Sequence, residues 1–137
     1  MAKRRTKAPR QRLILDAGAV IALSRSDVRA RAALAAAVDV GAEVSIPAVV
    51  VAETVRGAAT DAPVNRVVKA VGQVDLIDEA IGRAAGRLLG EVGSSETVDA
   101  IVIATALEAG GAVVLTGDPD DLEVLAGEHR VVVIEAL

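Results

Sequence analysis

Leu13-Ile14-Leu15-Asp16-Ala17-Gly18-Ala19-Val20-Ile21-Ala22-Leu23 is apolar throughout except for one carboxylate. Leu13–Leu15 has the length and composition of a short buried strand, and the stretch from Ala17 to Leu23 reads as helical. An acid between them sits where a strand ends and a helix begins. A basic stretch precedes this run, so it imitates a signal peptide, but Asp16 interrupts the apolar core and opposes insertion. No apolar stretch reaches the ~20 residues that a transmembrane helix needs. The expected location is the cytoplasm, with no membrane partner.

The same alternation continues outward. Residues 27–40 are rich in Ala and Arg and read as a helix, and Val44-Ser45-Ile46 as a strand. Pro47 suits the first turn of a helix running to about Arg56 and stopped by Gly57. A helix over 63–72, a strand over 74–77 and helices over 79–91 and 98–108 follow. Ala112–Leu115 reads as a strand, Asp118-Pro119 as the start of a short helix, and Val131–Ile134 as the last strand. Short, continuously apolar strands separated by helices predict a parallel sheet buried on both faces. The expected fold class is therefore α/β, with residues 1–11 as a basic N-terminal arm and 12–137 as a single domain.

The composition of the 137 residues excludes several chemistries. With no cysteine, disulfides and thiolate-bound zinc are impossible. With no Phe, Tyr or Trp, the core must be aliphatic and bases cannot stack on aromatic rings. The one histidine, His129, lies in a turn-like Gly-Glu-His-Arg string without a nucleophile partner. Six basic residues and no acid lie in residues 1–12, which leaves the remainder of the chain at a net charge of -10. A basic arm on an acidic body suits a protein that attracts phosphate while holding a cation on carboxylates; a solvated tail has the same composition.

Four acids lie among apolar residues, where a charge is costly without a partner. They are Asp16, Glu53 in Ile46-Pro-Ala-Val-Val-Val-Ala-Glu53, Asp99 in Val98-Asp-Ala-Ile-Val-Ile-Ala, and Asp118 after Val113-Val-Leu-Thr-Gly. Each has a structural explanation as well. Asp16 and Asp118 could cap helices, Asp99 could complement a helix dipole, and Glu53 could pair with Arg56. Together they suggest a carboxylate cluster, in which mutual repulsion favours either a proton or a divalent cation. An all-oxygen donor set favours Mg²⁺ or Mn²⁺ over Zn²⁺.

These strings resemble the four motifs of PIN domains, in order and spacing, over roughly residues 12–136, and the short single-domain chain resembles a VapC-type toxin. Leu13–Leu23 is similar to the first motif and Ile46–Glu53 to the second. Thr97–Ala106 is similar to the third, and Leu115-Thr116-Gly-Asp118-Pro-Asp-Asp121-Leu122 to the fourth, where Leu122 stands in place of a common aromatic. The resemblance implies a three-layer α/β/α sandwich with a central, mainly parallel sheet. It implies an Mg²⁺- or Mn²⁺-dependent endoribonuclease, the toxin of a toxin–antitoxin pair, that forms a homodimer and binds a cognate VapB-type antitoxin. Carried over by motif, Asp16, Glu53, Asp99 and Asp118 would be catalytic and metal-binding. Asp121 is a fifth candidate ligand, and Thr116 could orient a carboxylate or water.

Two other classes fit less well. A phosphotransferase of the haloacid-dehalogenase type wants a second Asp two residues after the first, where this chain has Gly18, and a site lysine, for which only Lys69 is available. A catalytically inactive PIN-like domain that binds RNA or protein is the non-enzymatic alternative, and the presence of all four acids argues against it.

Overall fold

The computed structural model describes residues 11–137; the expected basic arm lies outside the described residues except for Gln11. Five strands form one sheet in the order β3-β2-β1-β4-β5, with every neighbouring pair parallel. They are β1 (Arg12–Leu15), β2 (Glu43–Pro47), β3 (Val74–Asp75), β4 (Ala112–Thr116) and β5 (Val132–Ala136). Seven helices connect them: α1 (Ala17–Ser24), α2 (Val28–Asp39), α3 (Ala48–Thr54), α4 (Ala62–Val71), α5 (Glu79–Val92), α6 (Thr97–Glu108) and α7 (Pro119–Ala126). The expected α/β sandwich is what the chain forms.

Successive strand residues point to opposite faces of a sheet. Leu13, Ile14 and Leu15 are nonetheless all buried, so both faces are covered. On β2, Val44 faces α2 and α4 whereas Ser45 faces α5 and α6. The core is aliphatic, with Ile14, Leu15, Ile46, Ile103, Leu115 and Leu122 among its largest fully buried side chains. Burial of each such side chain contributes roughly 1.5–3 kcal/mol.

The chain runs from β1 outward through β2 to β3, then returns to the other side of β1 for β4 and β5. The direction of winding therefore reverses between β1 and β4. In an open parallel sheet the crevice beyond the carboxyl ends of two such strands is the place where a site forms. β1 and β4 are in register there, Leu15 against Leu115, and the Asp16 N–H donates to the Leu115 carbonyl at 3.0 Å.

Several boundaries differ from the sequence reading. Pro47 is the last residue of β2, not a helical residue, and α3 ends at Thr54. The reason for the early stop lies downstream. The Asp61 carboxylate accepts from the backbone N–H groups of Arg56, Gly57 and Ala58, which pulls the chain out of the helix. A 3-10 turn at Ala59–Asp61, absent from the sequence reading, follows this capture. The third strand is only Val74–Asp75, since Leu76 and Ile77 lie exposed beyond the sheet pairing.

Candidate active site

Asp16 emerges from β1 as the N-cap of α1 and is only 8% exposed. Its two oxygens have separate partners. Oδ1 accepts from the Ala17 N–H at 2.8 Å, and Oδ2 accepts from the Thr116 hydroxyl at 3.0 Å. Thr116 is fully buried at the end of β4, and its Oγ1 in turn accepts from the Asp118 N–H at 3.0 Å. The capping explanation of Asp16 is thus correct, and it fixes the carboxylate at the mouth of the β1–β4 crevice.

Asp99 lies in the first turn of α6, half-buried, with Val102, Ile103 and Ala106 of its own stripe fully buried below it. Its carboxyl group is raised from the ordinary 3.8 to about 6. Loss of water is the largest cause, followed by the negative charges of Asp16, Asp121, Glu96 and Glu53. Among the described residues, no hydrogen-bond donor relieves it. Glu53, near the end of α3, is exposed, less enclosed than its apolar string suggested. The water displaced around it still raises its pKa, Asp16 raises it further, and Arg56 opposes both. Arg56 forms no ion pair with it; the guanidinium donates to the carbonyls of Ala52 and Val55.

Asp16, Glu53 and Asp99 therefore come near enough to act on one another. Asp121, in the first turn of α7, joins them, as does Glu96, the residue before α6. Glu96, Asp99 and Asp121 can each present a carboxylate oxygen within 4.8 Å of the others, a spacing suited to one shared cation. Asp118 stands differently. It is exposed, its side chain does not cap α7, and it is not among the carboxylates that raise Asp99.

Sequence reasoning missed Glu96. It lies in a Ser-Ser-Glu-Thr string that reads as a solvated turn, and its only signal is a spacing of three residues from Asp99, which places both on one side of a helix start. The donor set of Glu96, Asp99 and Asp121 is made entirely of carboxylate oxygen. It fits a hard divalent cation.

A family model described as "PIN domain" matches residues 13–128. The chain belongs to the PIN domain family. No curated protein matches it. Solved structures share the fold of this PIN domain at low identity. A chain of a toxin–antitoxin complex from Klebsiella pneumoniae has a TM-score of 0.68 and 21% identity, with 88% of this chain and 95% of that one covered. A chain of VapBC2 from Rickettsia felis, bound to a DNA fragment from their promoter, has a TM-score of 0.72 and 12% identity, with 91% and 98% covered. A chain of DNA-bound VapBC from Salmonella typhimurium has a TM-score of 0.68 and 16% identity, with 92% and 98% covered. In this PIN domain Asp16 follows β1 and Asp121 lies on the helix after β4, so both flank the crevice where strand order reverses.

Proposed function

We propose that this PIN domain is a metal-dependent endoribonuclease, the toxin of a VapBC-type pair, hydrolysing phosphodiester bonds of RNA in the cytoplasm. The observation that carries the reading is the raised Asp99, on which four other carboxylates act and which has no donor among the described residues. Such an arrangement is poorly suited to structural support and well suited to holding a cation. Among the described residues, no helix is long and apolar enough to cross a membrane.

Mg²⁺ or Mn²⁺, when bound, would supply the charge that activates water and stabilises the phosphate in flight. Asp99 is the central ligand in this reading, with Asp16, Glu96 and Asp121 around it. Asp118 has a lesser share, as an outer acid near the RNA. Thr116 orients the Asp16 carboxylate through its hydroxyl. In this reading Glu53, exposed and with its pKa raised, would take a proton from the attacking water.

A VapB-type antitoxin would use a different surface. An apolar groove of about 750 Å³ runs between α2 and α4, floored by Leu34, Val44 and Val67, with Arg31 and Arg66 on its lips. Neither arginine forms an ion pair among the described residues. An amphipathic segment carrying acids on its polar side would match both the floor and the lips. The expected partners are thus an RNA substrate, an antitoxin with such a segment, and a second copy of the chain.

Total RNA incubated with the purified chain and Mn²⁺ tests the activity. Mapped internal cuts that vanish with EDTA and with Asp16→Asn are the expected result. Metal binding without cleavage of any structured RNA would instead favour the inactive RNA- or protein-binding domain.

A further inference from the structure

Gly18 lies in the first turn of α1, and it has no positive φ to require glycine. Its reason is a contact. A Cβ on Gly18 would lie 2.8 Å from the Gly117 nitrogen and 3.1 Å from the Gly117 Cα. Both are backbone atoms, so neither can swing aside as a side chain would.

The contact joins the two stretches that carry the site. Asp16 precedes Gly18 by two residues, and Thr116 and Asp118 flank Gly117. Two hydrogen bonds of 3.0 Å span the same seam, Asp16 N–H to the Leu115 carbonyl and the Thr116 hydroxyl to Asp16 Oδ2, and a third within the turn, Asp118 N–H to Thr116 Oγ1, holds the Thr116 hydroxyl. Parting α1 from the 116–118 turn by a few tenths of an ångström would strain this bridge before it disturbed the core. The requirement is one-sided, because a Cβ on Gly117 would meet the Gly18 Cα at 3.6 Å, an ordinary contact.

We propose that Gly18 is a positioning residue: by lacking a Cβ it seats the first turn of α1 against Gly117 and holds the Asp16 carboxylate in its metal-binding pose. The inference rests on reading the acids as a divalent-cation site. Groups that orient a ligand typically change metal affinity by roughly 10–100-fold when lost.

The test uses the full chain, Mn²⁺ as the only probe, and two readouts: Mn²⁺ affinity by calorimetry, and exchange in metal-free protein of the Asp16 amide, which crosses the seam to the Leu115 carbonyl. Gly18→Ala should keep its circular dichroism, bind Mn²⁺ roughly 10–100-fold more weakly and exchange the Asp16 amide faster. Gly117→Ala should lose less than Gly18→Ala on both readouts. Wild-type values for Gly18→Ala, or a larger loss for Gly117→Ala, would overturn the inference. If Gly18→Ala does not fold, Thr116→Val decides: weakened Mn²⁺ binding, restored by Thr116→Ser, supports the seam, and unchanged binding refutes it. A wild-type chain that binds no Mn²⁺ sinks the metal reading. Faster exchange in Gly18→Ala would in that case leave only a structural seam.

Discussion

The loop after α3 gives Asp61 the backbone N–H groups of Arg56, Gly57 and Ala58, whereas the mouth above β1 and β4 surrounds Asp99 with Asp16, Asp121, Glu96 and Glu53. Both acids are withdrawn from water, Asp61 more fully than Asp99. Their chemistry diverges because their neighbours differ. The Arg56 N–H is the largest influence on Asp61 and lowers its pKa, and the amides of Ala58 and Gly57 add to it. Asp99 is pushed the other way, to about 6. Asp61 is tied to donors alone, as a structural acid is, whereas Asp99 is beset by carboxylates, as a candidate cation ligand is, and Asp16 combines the two, with donors on both oxygens and its charge acting on Asp99 and Glu53. In a chain with nineteen acids, this distinction separates function from solvation.

The sharpest way to break the comparison is to neutralise each acid in turn. Asp99→Asn should reduce single-turnover RNA cleavage in Mn²⁺ by roughly 100-fold or more, since it removes the proposed central ligand. The same change should leave the metal-free protein at least as stable as wild type at pH 7, because it removes repulsion. Asp61→Asn should do the reverse. It should lower the denaturant midpoint by presenting an amide to three N–H donors that now meet a full negative charge, while Mn²⁺ affinity of the folded protein stays near wild type. Equal loss of cleavage in both variants, at matched folded fractions, would erase the distinction.

A finer version compares two acids of the α7 start. Asp121 acts on Asp99 and lies within reach of a shared cation, and Asp118 does neither. Asp121→Asn is expected to weaken Mn²⁺ binding roughly tenfold and Asp118→Asn clearly less. Calorimetry on both variants would reveal the reverse order if Asp118 turned inward on binding.

The sequence made some of this visible and hid the rest for physical reasons. Asp16 and Asp99 were conspicuous because apolar neighbours on one strand or helix stripe imply burial, and burial is a local inference. Asp121 could be suspected from the fourth motif. Glu96 could not be raised above the solvated acids, because its role depends on the turn before α6 lying beside the start of α7, a tertiary fact. Asp61 stayed hidden for a related reason: its partners are backbone amides three to five residues back, and no side-chain pattern announces them. The same capture ended α3 two residues early. The third strand fell short because an apolar string, Leu76-Ile77, can be exposed as readily as paired.

Titration of stability sharpens the contrast at smaller amplitude. A group whose folded pKa is raised binds more protons in the folded state, so it destabilises the fold as pH rises between its two values. For Asp99 that window runs from the ordinary 3.8 to about 6, and the raised Glu53 adds the same sign. Asp61, with a lowered pKa, contributes stability that is lost as pH falls below its ordinary 3.8. Metal-free protein should therefore melt progressively lower from about pH 4 to pH 6.5, and Asp99→Asn should flatten that slope. On the proposed reading Mn²⁺ displaces the proton that Asp99 retains, so its affinity should climb over the same interval. A wild-type melting temperature that rises steadily through this window would mean that Asp99 is not repelled as described.

The smallest effect isolates stability from the site altogether. Gly82, Gly86 and Gly90 are exposed along α5, and a Cβ at each would meet nothing within 4 Å. In such a helix interior, glycine costs about 1 kcal/mol relative to alanine through its backbone freedom. Gly86→Ala should accordingly raise the stability measured in urea by about that amount. Because α5 presents none of the clustered acids, Mn²⁺ affinity should not move, unlike the outcome for Gly18→Ala at the seam. The two glycines thus form a matched pair, one open and one enclosed, that separates helix propensity from positioning. Destabilisation by Gly86→Ala would mean that the added methyl does not enter open space, against the geometry of α5.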